Sequence, residues 1–178
     1  ETEKYHYLQP GLNQLKTLKP IHRFNGNITL EYKLPELVIM VGYPASGKSS
    51  FVKKYFGHYK LVSQDLLKTS KMCVVKCDEY LSKRESVIID NTNVTYAKRK
   101  LFIDIAKKYN VHVRCIYMNI GFELSLHLNN FRMLTSGCDK INKIAFLSFR
   151  KYFQEPKLDE GLNDIIYINF VPEFNTKE

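Results

Sequence analysis

Apolar positions fall into short unbroken runs that take turns with stretches of helical period. "ELVIMV" (36 to 41), "YKLVS" (59 to 63), "SVIID" (86 to 90), "VHVRCIYMN" (111 to 119) and "IIYINF" (165 to 170) read as strands. "KSSFVKKYF" (48 to 56), a segment near 70 to 83, "AKRKLFIDIAKKY" (97 to 109), "ELSLHLNNFRML" (123 to 134) and "KIAFLSFRKYF" (143 to 153) read as helices. Alternation of strand and helix is what crossover connections require. It predicts an α/β fold with a mainly parallel sheet, helices on both faces, and ligands at the carboxyl ends of the strands. Residues 1 to 34 lack this order: Pro10, Pro20 and the turn signal "NGN" break them up, and they are expected to be a linker or N-terminal extension to a domain over 35 to 178.

Composition narrows the setting. A chain of 178 residues, 44% hydrophobic, is long enough for one well-buried core. The 27 Lys and Arg against 18 Asp and Glu leave a net charge of +9, which favours polyanionic partners without choosing among them. Four scattered cysteines, Cys73, Cys77, Cys115 and Cys138, do not make a disulfide framework, so they are expected as reduced thiols in an intracellular, reducing compartment. Cys73 and Cys77 would share a helix face as small core residues. No apolar run reaches the roughly 20 residues that span a bilayer, so no membrane is expected as a partner. The start at Glu1 rather than Met fits a segment of a longer polypeptide.

"VGYPASGKSS" (41 to 50) changes the picture most. Gly42, Tyr43, Pro44, Ala45, Ser46, Gly47, Lys48 and Ser49 follow a strand and open a helix that continues through Ser50. That is the setting in which two glycines, then lysine and a hydroxyl residue, form a phosphate loop. The glycines let backbone amides turn toward phosphate, and the helix N-terminus adds its positive end. Lys48 is expected to reach the β and γ phosphates of a nucleotide such as ATP, and the Ser49 hydroxyl to hold Mg²⁺.

Two carboxylates stand at strand ends. Asp90 closes "SVIID" and is placed to order Mg²⁺, with Asn91, Thr92 and Asn93 as neutral groups around it; the alternative is a turn or capping aspartate. Asp65 follows "YKLVS" on the side from which an acceptor would approach the γ phosphate, where a carboxylate accepts the proton of an attacking hydroxyl. Its alternative is an N-cap for the next helix. No Asn-Lys-x-Asp segment specifies guanine, and machine-type ATPases need more length and a neighbour's arginine, so a small kinase is the class that remains. Such kinases close a helical lid that carries arginine, and "LHLNNFRMLTS" offers Arg132, whose alternative is an ordinary solvated helix arginine. Lys68 and Lys71 after Asp65, and Lys98, Arg99 and Lys100 after Asp90, would form a basic track for an extended nucleic-acid strand if they converge; otherwise they are solvated helix faces. A small-molecule P-loop kinase and a catalytically inert module that holds nucleic-acid ends are the rival functions. Intact Lys48, Ser49, Asp65 and Asp90 speak against the inert one.

"VGYPASGKSSF", "SQDLL", "VIIDNTN", "HLNNFRMLT" and "FRKYFQEPKLDEG", in this order and spacing, resemble the kinase domain of the polynucleotide kinase 3′-phosphatases. The resemblance runs from about Glu36 to Phe170. It implies a P-loop kinase with a helical lid that moves the γ phosphate of ATP to the 5′-hydroxyl of a DNA or RNA end, in strand-break repair and, for a eukaryotic repair enzyme, in the nucleus. It implies Asp65 as the general base, Lys48 and Ser49 as phosphate and Mg²⁺ contacts, Asp90 as the second acidic residue and Arg132 as the lid arginine. Arg99 matches a position associated with the substrate strand, and Thr92, Lys68 and Lys71 join the acceptor side. The chain departs from the pattern at Gln64, Met72 and Asn130, where relatives carry basic residues, and Lys71 stands beside the loss at Met72. It lacks the Asp-x-Asp-x-Thr of the family's phosphatase, which the resemblance places on an upstream domain.

Overall fold

The computed structural model describes residues 35–169; the linker expected over 1–34 and the last residues of the chain lie outside them. Strands β1 (Glu36–Val41), β2 (Lys60–Val62), β3 (Val87–Ile89), β4 (His112–Met118) and β5 (Asp164–Ile168) form one sheet in the order β2-β3-β1-β4-β5, and every pairing is parallel. The helices are α1 (Lys48–Tyr55), α2 (Gln64–Leu67), α3 (Ser70–Ser82), α4 (Tyr96–Lys108), α5 (Phe122–Ser136) and α6 (Lys143–Tyr152). A 3₁₀ turn spans Leu158–Glu160. The expected α/β architecture is therefore present, with element ends within a residue or two of the expected ones. Helix α2 and the 3₁₀ turn were not foreseen, because one turn is too short to display a period.

Central strand β1 is buried along its whole length, as an unbroken apolar run in a two-sided parallel sheet should be. Alternation divides it between two cores. Leu37, Ile39 and Val41 pack with Cys73, Cys77 and Leu81 of α3 and Phe102, Ile103 and Ala106 of α4, while Val38 and Met40 pack with Phe51, Val52 and Phe56 on the α1 side. Three cysteines thus serve as core residues, and burial pushes the Cys77 and Cys115 thiols up to about 12. Cys138 alone among the four is exposed.

At the amino edge of the sheet Glu36 is fully buried, and so is Arg114 of β4, which donates from Nε to Glu36 Oε2 at 2.7 Å. The Tyr59 hydroxyl donates to the same carboxylate, and burial followed by that carboxylate drives the phenol pKa upward. The opposite, carboxyl edge receives the phosphate loop, both aspartates and the lid. Among the described residues no helix is long and apolar enough to cross a membrane.

Candidate active site

β1 stops at Val41 and the chain turns at once toward α1. Gly42 has φ 149°, and a Cβ there would lie 3.0 Å from both Met118 Cβ and Ser46 Oγ, so glycine is required for backbone shape and for room. Ala45 (φ 57°) and Gly47 (φ 87°) are left-handed on either side of Ser46, an alternation that gathers N–H groups into an anion-binding concavity ahead of the α1 N-terminus.

Lys48 opens α1 and is buried. Its Nζ donates to Gly42 O at 3.0 Å, Tyr43 O at 2.6 Å and Ser46 Oγ at 3.3 Å, so the ammonium is held inside the loop by the loop's own oxygens. Burial lowers its pKa to about 8, against the opposing pull of the Asp90 and Asp65 carboxylates. Ser49 donates its hydroxyl to Asp90, whose pKa is raised by burial in spite of that bond and the nearby Lys48 charge. One hydroxyl and one carboxylate are a sparse set of hard oxygen donors. It suits Mg²⁺, which keeps waters and takes its remaining oxygens from nucleotide phosphates.

Asp65 lies in the single-turn helix α2. The N-cap there is Ser63, whose Oγ accepts the Asp65 N–H at 3.2 Å, so the Asp65 carboxylate is not used as the cap. Nor does Asp90 cap α4, a task taken by Thr95. Lys68, itself left-handed at φ 67°, donates to Asp65 O at 3.0 Å.

Asn91–Asn93 ties these parts together. Asn91 Oδ1 accepts the Gln64 N–H at 2.8 Å, Thr92 O accepts the Gly42 N–H at 3.4 Å, and Asn93 Nδ2 donates to Met40 O at 2.7 Å. Three consecutive residues therefore connect the Asp90 strand end to the Asp65 turn, the phosphate loop and β1. Opposite them, α5 brings Arg132, whose guanidinium donates to Asp139 O at 3.2 Å and whose Nε is buried with no hydrogen-bond partner among the described residues. A cleft of about 550 Å³ results, lined by Pro44, Ala45, Lys48, Ser49, Gln64, Asp65, Lys68, Asp90, Asn91, Thr92, Arg132 and Ile141.

Most of the site residues expected from the sequence thus converge. Gly42, Tyr43, Ser46 and Gly47 shape the loop; the Tyr43 ring leans on Phe149 of α6 with centroids 4.2 Å apart, which anchors the loop to the "FRKYF" segment. Ser50 and Lys71 are exposed outside the cleft lining.

Arg99 is the correction. Expected on a strand-binding surface, it is fully buried. Its Nε donates to Glu160 Oε2 at 2.7 Å and Nη2 binds the other oxygen of that carboxylate, while Nη1 donates to Asn93 O at 3.1 Å and Gln154 O at 2.9 Å. The basic track is broken there: Lys98 and Lys100 remain exposed, and Lys100 pairs with Asp104 at 2.8 Å. The signal was available, because Arg99, Phe102, Ile103 and Ala106 are spaced i, i+3, i+4, i+7 and all four are buried. Asn129, Glu160 and Phe149 were missed as contributors to the site. A buried polar residue carries no periodic mark of its own, although "FRKYFQEPKLDEG" contains two of the three.

A family model described as an AAA domain matches residues 72–156. The bifunctional polynucleotide phosphatase/kinase of Schizosaccharomyces pombe is 39% identical over 137 residues, 76% of this chain and 34% of that protein. A protein of Acanthamoeba polyphaga mimivirus, given the same name provisionally, is 35% identical over 176 residues, 96% of this chain and 42% of its own length. The chain therefore spans well under half the length of the curated relatives it matches. Among solved structures, a gluconokinase from Sinorhizobium meliloti superposes with a TM-score of 0.59 at 13% identity, over 80% of this chain and 86% of that one. Kti12 from Chaetomium thermophilum, in complex with ADP-AlF3, gives 0.56 at 14% identity, over 75% and 89%. These two show the likeness of fold alone. The chain thus sets a phosphate loop on a parallel α/β sheet and is similar, over 76% and 96% of its own length, to two proteins named as polynucleotide phosphatase/kinases.

Proposed function

We propose that this domain transfers the γ phosphate of ATP to the 5′-hydroxyl of a DNA or RNA end. The observation that carries the reading is the cleft itself: Lys48 and Ser49, both carboxylates and Arg132 share one lining, in a chain similar to polynucleotide phosphatase/kinases. Lys48 exchanges its loop carbonyls for phosphate oxygens and holds the β and γ phosphates in line with Asp65. Asp65 accepts the proton of the 5′-hydroxyl as its oxygen bonds to the γ phosphorus. The bond from that phosphorus to the bridging oxygen breaks, and ADP leaves with the electron pair. Arg132 supplies positive charge from the opposite wall. Ser49 and Asp90 would hold Mg²⁺, which would supply positive charge against the nucleotide phosphates. Lys68 and Thr92 in the cleft lining, and Lys71 on the exposed surface beyond it, would meet the acceptor's own phosphates. On a longer polypeptide the domain would work beside a phosphatase in nucleic-acid end repair, as the relatives' names imply.

Incubation with γ-labelled ATP and 5′-hydroxyl acceptors tests this: single-stranded, nicked and gapped DNA, RNA and mononucleotides. Label on polynucleotide ends that falls steeply as salt rises is expected. Label confined to free nucleosides or mononucleotides, insensitive to salt, would mark a small-molecule kinase instead.

A further inference from the structure

Arg132 reaches the cleft from α5, but the surface around it is built by the irregular segment 137–142 between α5 and α6. That segment has no ladder to shape it. Gly137 ends α5 in the left-handed region at φ 63°, and Asn142 begins α6 by accepting the Ile144 N–H at 2.9 Å. Between these ends two side chains of α5 fasten it, Arg132 at Asp139 and Asn129 at Ile141. Asn129, 1% exposed, donates from Nδ2 to Ile141 O at 2.9 Å and accepts the Ile141 N–H on Oδ1 at 3.1 Å. The amide stands in for a strand partner, satisfying both backbone groups of a residue twelve positions away.

Ile141 lines the cleft, and Asp139, two residues before it, supplies the carbonyl that holds the Arg132 guanidinium. Asn129 lies one turn before Arg132 on the same helix, so helix and segment are clamped together at the level of the arginine. Arg132 itself is half-buried and lines the cleft, with Nη2 of its guanidinium held on the Asp139 carbonyl.

We propose that Asn129 is a positioning residue: by clamping Ile141 it fixes the Asp139 carbonyl and so the place from which Arg132 meets the terminal phosphate of a bound nucleotide. This deepens the reading of the cleft as a nucleoside-triphosphate site and is independent of the acceptor.

The test compares dissociation constants, with Mg²⁺, for ADP and for the β,γ-imido analogue of ATP in wild type, Asn129→Ala, Asn129→Asp, Arg132→Ala and the Asn129→Ala/Arg132→Ala double variant. The preference for triphosphate should fall about tenfold or more in each alanine variant, the worth of a charge-assisted hydrogen bond, and no further in the double variant. ADP affinity should stay within about twofold, as a hydrogen bond confined to the terminal phosphate leaves it untouched. Hydrogen exchange at the Ile141 amide should accelerate in Asn129→Ala and much less in Asn129→Asp, which keeps the acceptor. Additive losses in the double variant would overturn the proposal. So would an unchanged triphosphate preference in Asn129→Ala, or a wild type without any. If Asn129→Ala does not fold, the same ratio in Asn129→Asp decides, since losing the Ile141 O contact should still lower it. Because binding is the readout, a protein that phosphorylates no 5′ end would sink the acceptor reading and leave this test standing.

Discussion

Replacing Arg99 by alanine separates the two readings of that residue. As a strand contact, it would raise the Michaelis constant for an oligonucleotide and leave stability alone. In the structure its removal leaves the Glu160 carboxylate, 9% exposed, without its partner and takes a donor from Asn93 O and Gln154 O. Breaking a buried pair by deleting one member costs about 3–5 kcal/mol. For a domain of this size each kcal/mol lowers the melting temperature by about 2–4 °C, so a fall of roughly 6–20 °C is expected. Glu160→Gln, which keeps a hydrogen-bonding group of the same shape, should lose less. The paired exchange Arg99→Met with Glu160→Leu should recover much of the loss, because apolar replacement of a whole buried pair is often neutral. Differential scanning fluorimetry and urea unfolding provide the readout. A melting temperature for Arg99→Ala within about 2 °C of wild type, less than 1 kcal/mol on the same scale, together with a raised oligonucleotide Michaelis constant, would refute the buried assignment.

Asp65→Asn should reduce transfer by about 10²–10⁴-fold while ADP affinity stays nearly unchanged, because the proton acceptor is removed and the phosphate loop is not; an active Asn variant in a single-turnover assay would end the base assignment. Lys48 gives a pH dependence whose sign follows from its lowered pKa. Below about 8 the ammonium is charged with or without nucleotide and affinity is flat; above it the free protein loses the proton first, so ADP affinity should fall by up to tenfold per pH unit. Titration calorimetry at pH 8.5 in two buffers should then show proton uptake, and proton release would contradict it. Gly42→Ala puts a Cβ 3.0 Å from Met118 and Ser46 at φ 149°, and should abolish nucleotide binding measured by fluorescence titration.

The fold was legible because its strands are buried on two faces: β1, β3 and β4 read as apolar runs whatever their neighbours do. The chemistry that sits in the chain as a contiguous pattern, from Gly42 to Ser49 and at Asp90, was legible for a similar reason. Asp65 and Asp90 could each also be read as a cap, and the sequence did not show that Ser63 and Thr95 take that task, since capping is a matter of which side chain accepts which N–H. Arg99 misled because it sits between two exposed lysines, and charge read along the chain hid its place on the buried face of α4. Asn129 and Glu160 act across separations of 12 and 61 residues on partners that composition does not single out.

The Glu36–Arg114–Tyr59 cluster bears on how the protein is made. Its ion pair spans 78 residues of sequence, and β1 lies between β3 and β4. A growing chain emerging from the ribosome presents β1, β2 and β3 long before β4. Until Arg114 arrives, packing β1 into a sheet would bury the Glu36 charge with only a phenol to answer it. At typical synthesis rates Arg114 follows the end of β3 by about 1–5 s. The buried carboxylate therefore acts against premature collapse of the first half, making the central sheet close only when both sides of β1 can be paired.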